Sequence, residues 1–244
     1  MAGSTVDRLL GGGLARRLLS LERQRRHWLA RAPSGPLRDF YDTPFPSPAS
    51  PATAVRFVSL DFETTGFDPA RDEILSIGFV PVRDGALLVG QSVHRLVRPS
   101  GAVPPSSAVV HGILDDRARS GAPLAEAVPP LLAALAGNVL VAHHAAIERG
   151  FLDRVCRRLY GHPFVAPIVD TLEIERRTLA RRGRPIAPGS LRLAALRESY
   201  GLPRYRAHDA LIDALATAEL LLAQIAHRSG EGREPRLAEL LLGG

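Results

Sequence analysis

Apolar residues along this chain change period, and those changes divide it into elements. Val55 to Phe62 (VRFVSLDF) is dense in β-branched and aromatic residues and runs into Thr-Thr-Gly, the pattern of a buried strand. Strand patterns also fit 73–82 and 86–97, joined by an Arg83-Asp84-Gly85 hairpin turn, and shorter ones fit near 138–142 and 167–170. Helical spacing fits 123–136, 145–160, 171–182, 190–200 and 209–227. Antiparallel strands followed by strand–helix alternation predict an α/β domain over residues 55–228, a mixed five-stranded sheet flanked by helices.

The flanks follow other rules. Residues 1–31 place leucines at helical intervals among Arg16, Arg17, Arg23, Arg25, Arg26 and Arg31, with Gly11-Gly12-Gly13 as an interruption. This basic amphipathic helix is compatible with docking on the domain, with nucleic acid or a partner, or with a frayed appendage. It is arginine-rich like a transit peptide, but Asp7 and Glu22 count against one. Residues 32–54 carry six prolines and read as an extended linker, with Phe40, Tyr41 and Phe45 pinned to the domain surface. The tail 229–244, with Leu237, Leu240, Leu241 and Leu242, reads as a short docking helix. Arg181 to Gly189 is a basic loop, either near substrate or merely solvated.

Composition narrows the partners. A net charge of +6 over 244 residues favours a polyanion. All 31 basic residues other than histidine are arginine, a bias of the kind a GC-rich genome produces, so the excess says little about specificity. The lone Cys156 precludes an intramolecular disulfide and suits a reducing cytoplasm. No apolar run is read as a membrane span, so a soluble protein without a membrane partner is expected.

The chemistry resides in a few acids and one histidine. Residues i and i+2 of a strand share a face, so Asp61 and Glu63 stand side by side at the end of the first strand. Two adjacent carboxylates raise each other's pKa unless a cation separates them, and Mg²⁺ or Mn²⁺ takes such oxygen ligands while leaving room for water and phosphate. In RAHDALIDA a helix starts with Asp209 as N-cap, which leaves His208 on the preceding loop and Asp213 on the first turns. Five positions turn a regular helix by about 140°, so His208 and Asp213 need not point the same way. A loop histidine suits a general base and equally a simple capping role. With Glu148 in VAHHAAIERGFL, these residues have the make-up of a two-metal phosphodiesterase site.

These segments resemble the DEDDh-type 3′→5′ exonucleases, especially the proofreading epsilon subunit of bacterial DNA polymerase III, with ribonuclease T and oligoribonuclease as cousins. LDFETTG is similar to the family's first motif and HDALIDA to its third, while VVHGI and IVDTLEIERR match two further segments, all within about residues 56–226. The second motif departs from HNAxFDxxFL: His144 stands for the asparagine, Ile147 for the phenylalanine and Glu148 for the aspartate. Glutamate keeps the charge but adds a methylene, and a site tolerates only about 0.5 Å of misplacement. Glu148 therefore fits either a direct ligand of the second ion or an exposed acid at a helix start.

The resemblance implies a ribonuclease-H-like fold and hydrolysis of a terminal phosphodiester with two ions, Mg²⁺ or Mn²⁺, about 3.5–4 Å apart. Asp61 would bridge them, Glu63 and Asp213 complete the first site, Glu148 the second, and His208 takes a proton from the attacking water. Thr64, Thr65, Gly66 and His143 would contact the terminal nucleotide. Phe67 is compatible with stacking on a base or with core packing. Single-stranded or frayed DNA is the expected substrate and a DNA polymerase or another replication or repair protein the expected partner, in a bacterial cytoplasm. RNA trimming and a catalytically weak binding module are the alternatives, since loop contacts decide sugar preference.

Overall fold

The structure is a computed structural model that describes residues 11–230 and 234–242. Its frame is one mixed sheet, in the order β3-β2-β1-β5-β6, with β4 also paired to β2. The strands are β1 (Phe57–Thr64), β2 (Ile74–Arg83), β3 (Ala86–Leu87), β4 (Val93–Leu96), β5 (Val139–Ala142) and β6 (Ile168–Asp170). β1 runs antiparallel to β2 and parallel to β5, which is parallel to β6.

Six strands appear where five were expected because 86–97 is broken. Asp84 and Gly85, at φ 52° and 71°, make the left-handed turn that an Asp-Gly pair favours. Leu88 then leaves the extended region at ψ 68°, and a 3-10 turn over Val89–Gln91 intervenes before β4.

Alternation along β1 sorts its side chains. Val58, Leu60 and Phe62 enter one core cluster, and Phe57 enters the other. On the first face lie α5 (Leu124–Leu135) and α6 (Ala146–Tyr160), where the Phe62 and Phe151 rings meet edge to face at 6.5 Å. On the second lie α7 (Thr171–Arg181) and α9 (Ala210–Ser229), with α8 (Leu193–Ser199) beside α9. By length and composition α9 could cross a membrane, contrary to the expectation that no run would. It packs on β1 and β2 and half of it is buried, so its apolar character fills the core. α3 (Pro105–His111) and α4 (Asp115–Arg119) cover the edge near β4.

The flanks join this body. The linker expected to be extended over 32–54 contains α2 (Pro36–Asp42), because Pro36 sits at the start of a helix, where a missing N–H costs nothing. Leu37, Phe40 and Tyr41 are buried in the cluster of Val58 and Leu60. The Tyr41 hydroxyl donates to Pro163 O at 2.5 Å and accepts from Val165 N at 3.1 Å. α1 (Gly11–Leu29) includes the glycine triplet, while the first ten residues of the expected 1–31 extension lie outside the described residues. Its end docks through Trp28 against His162, ring centroids 5.4 Å apart, and through buried Arg25, which donates to Tyr41 O. At the other end α10 (Leu237–Leu240) buries Leu237 and Leu240, and Leu242 N donates to Ile168 O at 2.8 Å, covering the β6 edge.

Truncating Phe40 should therefore cost core stability, about 3–5 kcal/mol for Phe40→Ala. Denaturant unfolding measures it; a change below about 1 kcal/mol would mean α2 only rests on the surface.

Candidate active site

The acids meet where β1 ends. β1 carries Ser59, Asp61 and Glu63 on the face that receives α9, and Ser59 Oγ donates to Ala214 O at 2.8 Å. Opposite Asp61 on β2 is Gly78, where a Cβ would lie 2.1–2.3 Å from the backbone of Ala210 and Leu211. Only glycine lets the start of α9 come this close to the sheet. Asp209 caps that helix, accepting from Leu211 N at 3.1 Å and Ile212 N at 3.2 Å. Asp213, one turn later, thereby comes over the β1 end.

Oxygens of Asp61, Glu63 and Asp213 all lie within 4.8 Å of one another. Glu148, in the first turn of α6, is 3% exposed, and its Oε2 has no hydrogen-bond partner. It stands outside that trio, yet of all side chains its charge acts most strongly on Asp61. Burial, then Glu148, Asp213, Glu63 and Asp209 push the Asp61 carboxyl well above its ordinary range. Burial first, then Asp213 and Asp209, raise Glu63 to about 7. Burial, with Asp170 adding to it, raises Glu148 to about 8. Burial raises Asp213 as well, against the His208 N–H, which donates to its Oδ2 at 2.8 Å. Four such acids, one with a bare buried oxygen, form a donor set that fits hard divalent cations.

A cleft of about 480 Å³ runs over these residues and takes in Thr64, Thr65, Gly66, Phe67, His143 and His208. Phe67 is 82% exposed at its edge, so it is no core residue. Thr65 is bound within its own turn: its N donates to Glu73 O at 2.9 Å and its hydroxyl to Asp72 at 3.1 Å. Gly66 crowds the Asp72 carboxylate, which a Cβ would approach to 2.5 Å. His143 has both ring nitrogens engaged, with Thr171 Oγ1 at 2.8 Å and Leu191 O at 2.9 Å, so it offers a ligand its ring and not a free nitrogen. His208 is exposed at φ 69°. Asp153, five residues beyond Glu148 on α6, takes no part in the site: its carboxylate accepts from Arg157 Nε at 2.8 Å and Phe164 N at 3.0 Å.

His144 also has φ 69°, a left-handed backbone that asparagine and histidine adopt more readily than most residues. That accounts for histidine at a position where the resembled motif has asparagine. The turn is held by Asp170, whose carboxylate accepts from His144 N and Ala145 N at 3.0 Å each and also caps α7.

Three contributors carried no assigned role in the sequence: Gly78, Asp170 and His111. His111 ends α3 in the cleft; its Nδ1 accepts from Ile113 N at 3.0 Å, so Nε2, buried and without a partner, carries the proton. Burial, then the His208 charge, lower its pKa. Two signals were legible: VVHGI, whose His-Gly pair closes α3 with Gly112 at φ 68°, and IVDTLEIERR, which holds Asp170.

A mixed sheet flanked by helices, with clustered acids at the end of its central strand, is the fold expected of a ribonuclease-H-like protein. Over residues 58–221 the chain matches the family described as Exonuclease (RNase_T), and it belongs to that family. It is 34% identical over 166 residues to a PolC-type DNA polymerase III of Thermotoga petrophila, a match covering 68% of this chain and 12% of that protein. It is 30% identical over 175 residues to the DNA polymerase III subunit epsilon of Treponema pallidum, covering 72% and 79%. The chain thus spans about an eighth of the PolC-type relative and most of the epsilon subunit. The nuclease domain of 3′hExo, a DEDDh family member solved bound to rAMP, shares the fold at TM-score 0.62 and 16% identity, over 80% of this chain and 99% of that one.

The raised carboxyls give the metal-free protein a defined pH response. Protons that Glu63 and Glu148 hold in the folded state up to about 7 and about 8 leave an unfolded chain near 4.5, so stability is full below that value and falls as pH rises through the window. Calorimetry in chelator should show the melting temperature falling from pH 5 to pH 8.5, less so in Glu148→Gln, and recovering with Mn²⁺ at pH 8. A profile flat in chelator would contradict this electrostatic account.

Proposed function

We propose that this protein is a two-metal 3′→5′ exonuclease that removes nucleoside 5′-monophosphates from single-stranded or frayed DNA. The observation that carries this reading is the oxygen cluster of Asp61, Glu63 and Asp213 beside the buried, partnerless Glu148 Oε2. Asp61 would be shared by two ions, Mg²⁺ or Mn²⁺, with Glu63 and Asp213 completing one site and Glu148 the other. When bound, such ions supply activation of water and stabilisation of the leaving 3′ oxygen.

The chain's own residues do the rest. His208, exposed at the cleft beside Asp213, takes the proton of the attacking water. The Thr64–Gly66 turn shapes the wall against which the terminal nucleotide lies, and Thr65 acts by fixing that wall. Phe67 offers an exposed face to a base, and His143, locked by Thr171 and Leu191, offers its ring to the nucleotide.

DNA is the preferred substrate in this reading because the epsilon and PolC-type relatives carry the names of DNA polymerase chains. Proofreading or repair beside a bacterial polymerase is the corresponding setting. Residues 55–228 are the catalytic domain in this reading; 1–31, 32–54 and 229–244 are its extensions.

Matched 5′-labelled DNA and RNA strands, digested with Mg²⁺ or Mn²⁺, test the reading. DNA should shorten from its 3′ end faster than RNA. Asp61→Ala should cost more than the about 100-fold typical of losing a residue that only supports a metal ligand. Glu148→Asp should be slower than wild type, because the shorter side chain leaves its oxygens about one bond length short. Intact strands under both metals would defeat the proposal; faster cleavage by Glu148→Asp would mark the natural protein as an attenuated nuclease.

A further inference from the structure

We propose that Arg197, acting through Tyr205 and Glu219, is a positioning residue that holds the 201–208 segment so that His208 faces the cleft. The inference rests on the reading of His208 as proton acceptor and adds to it the device that places the ring.

Arg197 on α8 is 3% exposed, an unusual place for a guanidinium on a short helix. Its Nη1 donates to Ala216 O at 2.6 Å, and its Nη2 donates to Pro203 O at 2.9 Å and Glu219 Oε2 at 2.7 Å. Its Cζ lies 4.5 Å from the centroid of the Tyr205 ring, within cation–π range. The Tyr205 hydroxyl donates to the other Glu219 oxygen, Oε1, at 2.8 Å. One carboxylate thus takes the guanidinium and the phenol together, closing a triangle among α8, the loop and α9.

The loop has a second anchor on the same helix. The His208 N–H donates to Asp213 Oδ2 at 2.8 Å, and Asp213 lies six residues, about 9 Å, before Glu219 along α9. Between the anchors, Arg206 and Ala207 are exposed. His208 itself is at φ 69°, a left-handed backbone that costs most non-glycine residues of order 1 kcal/mol and histidine less than most, so its surroundings must hold it there. A short segment fastened at both ends to one rigid helix imposes it. If the Tyr205 end were released, His208 would keep its backbone bond but lose the fixed approach of its ring. Misplacement by about 1 Å is enough to cost catalysis up to about 100-fold.

A plain fold-stabilising role for Arg197 would leave His208 out of the account, and a double-mutant cycle separates the two. Tyr205 is 43% exposed, so Tyr205→Leu tests the latch without opening the core. On 5′-labelled strands with Mg²⁺, Tyr205→Leu should lower kcat about tenfold with KM within about twofold and an unchanged melting temperature. Tyr205→Phe, which keeps the ring over Arg197, should recover part of the loss. Combined with His208→Ala, Tyr205→Leu should add no further loss. Full additivity on the His208→Ala background, or wild-type kcat in Tyr205→Leu, overturns the latch and leaves the reading of His208 standing. Wild-type kcat in His208→Ala overturns that reading, and this inference with it.

Discussion

Burial of four carboxyls together at the end of β1, with like-charge repulsion adding to it, is the constraint around which the rest of the structure is arranged. Asp61, Glu63, Glu148 and Asp213 come from a strand and two helices on opposite sheet faces, and burial makes each reluctant to ionise. Keeping such groups ionised without a cation costs folding free energy, since each is harder to ionise in the folded protein than in the unfolded chain. A fold that maintains the arrangement must compensate through packing elsewhere. Two apolar clusters, one on each side of the sheet, do this, and they recruit α2 and α10 from outside the segment that matches the family.

The site depends on close approaches as much as on the acids. Gly78 lets the start of α9 rest on β2, and the Asp209 cap then fixes the turn that delivers Asp213. Asp170 joins the end of β6 to the β5–α6 turn and so orients the first turn of α6, where Glu148 sits. Each is a supporting contact one step removed from the acids, of the kind that holds ligands in working geometry.

Much of this was legible in the sequence for definite reasons. Period-two and helical patterns located β1, β2, the Asp84-Gly85 turn and the five helices α5 to α9 within a few residues; of those helices all but the seven-residue α8 are long or capped by an aspartate. The paired acids of β1 were legible because a strand has only two faces. α2 was hidden because proline usually breaks helices and here starts one. The interruption between β3 and β4 was hidden because Leu88 and Val89 continue the apolar pattern that a strand would have. Gly78 and Arg197 could not be read because their meaning lies in what packs against them: a helix N-terminus in one case, a tyrosine and a glutamate in the other. Glu148 was visible as a departure from the resembled motif, but its burial and its bare oxygen belong to three dimensions.

Anomalous diffraction from crystals grown with Mn²⁺ would examine the acids themselves. The account predicts two anomalous peaks about 3.5–4 Å apart, one among Asp61, Glu63 and Asp213 and the other between Asp61 and Glu148. Strong peaks elsewhere with none at the end of β1, from crystals at neutral pH and saturating Mn²⁺, would contradict it.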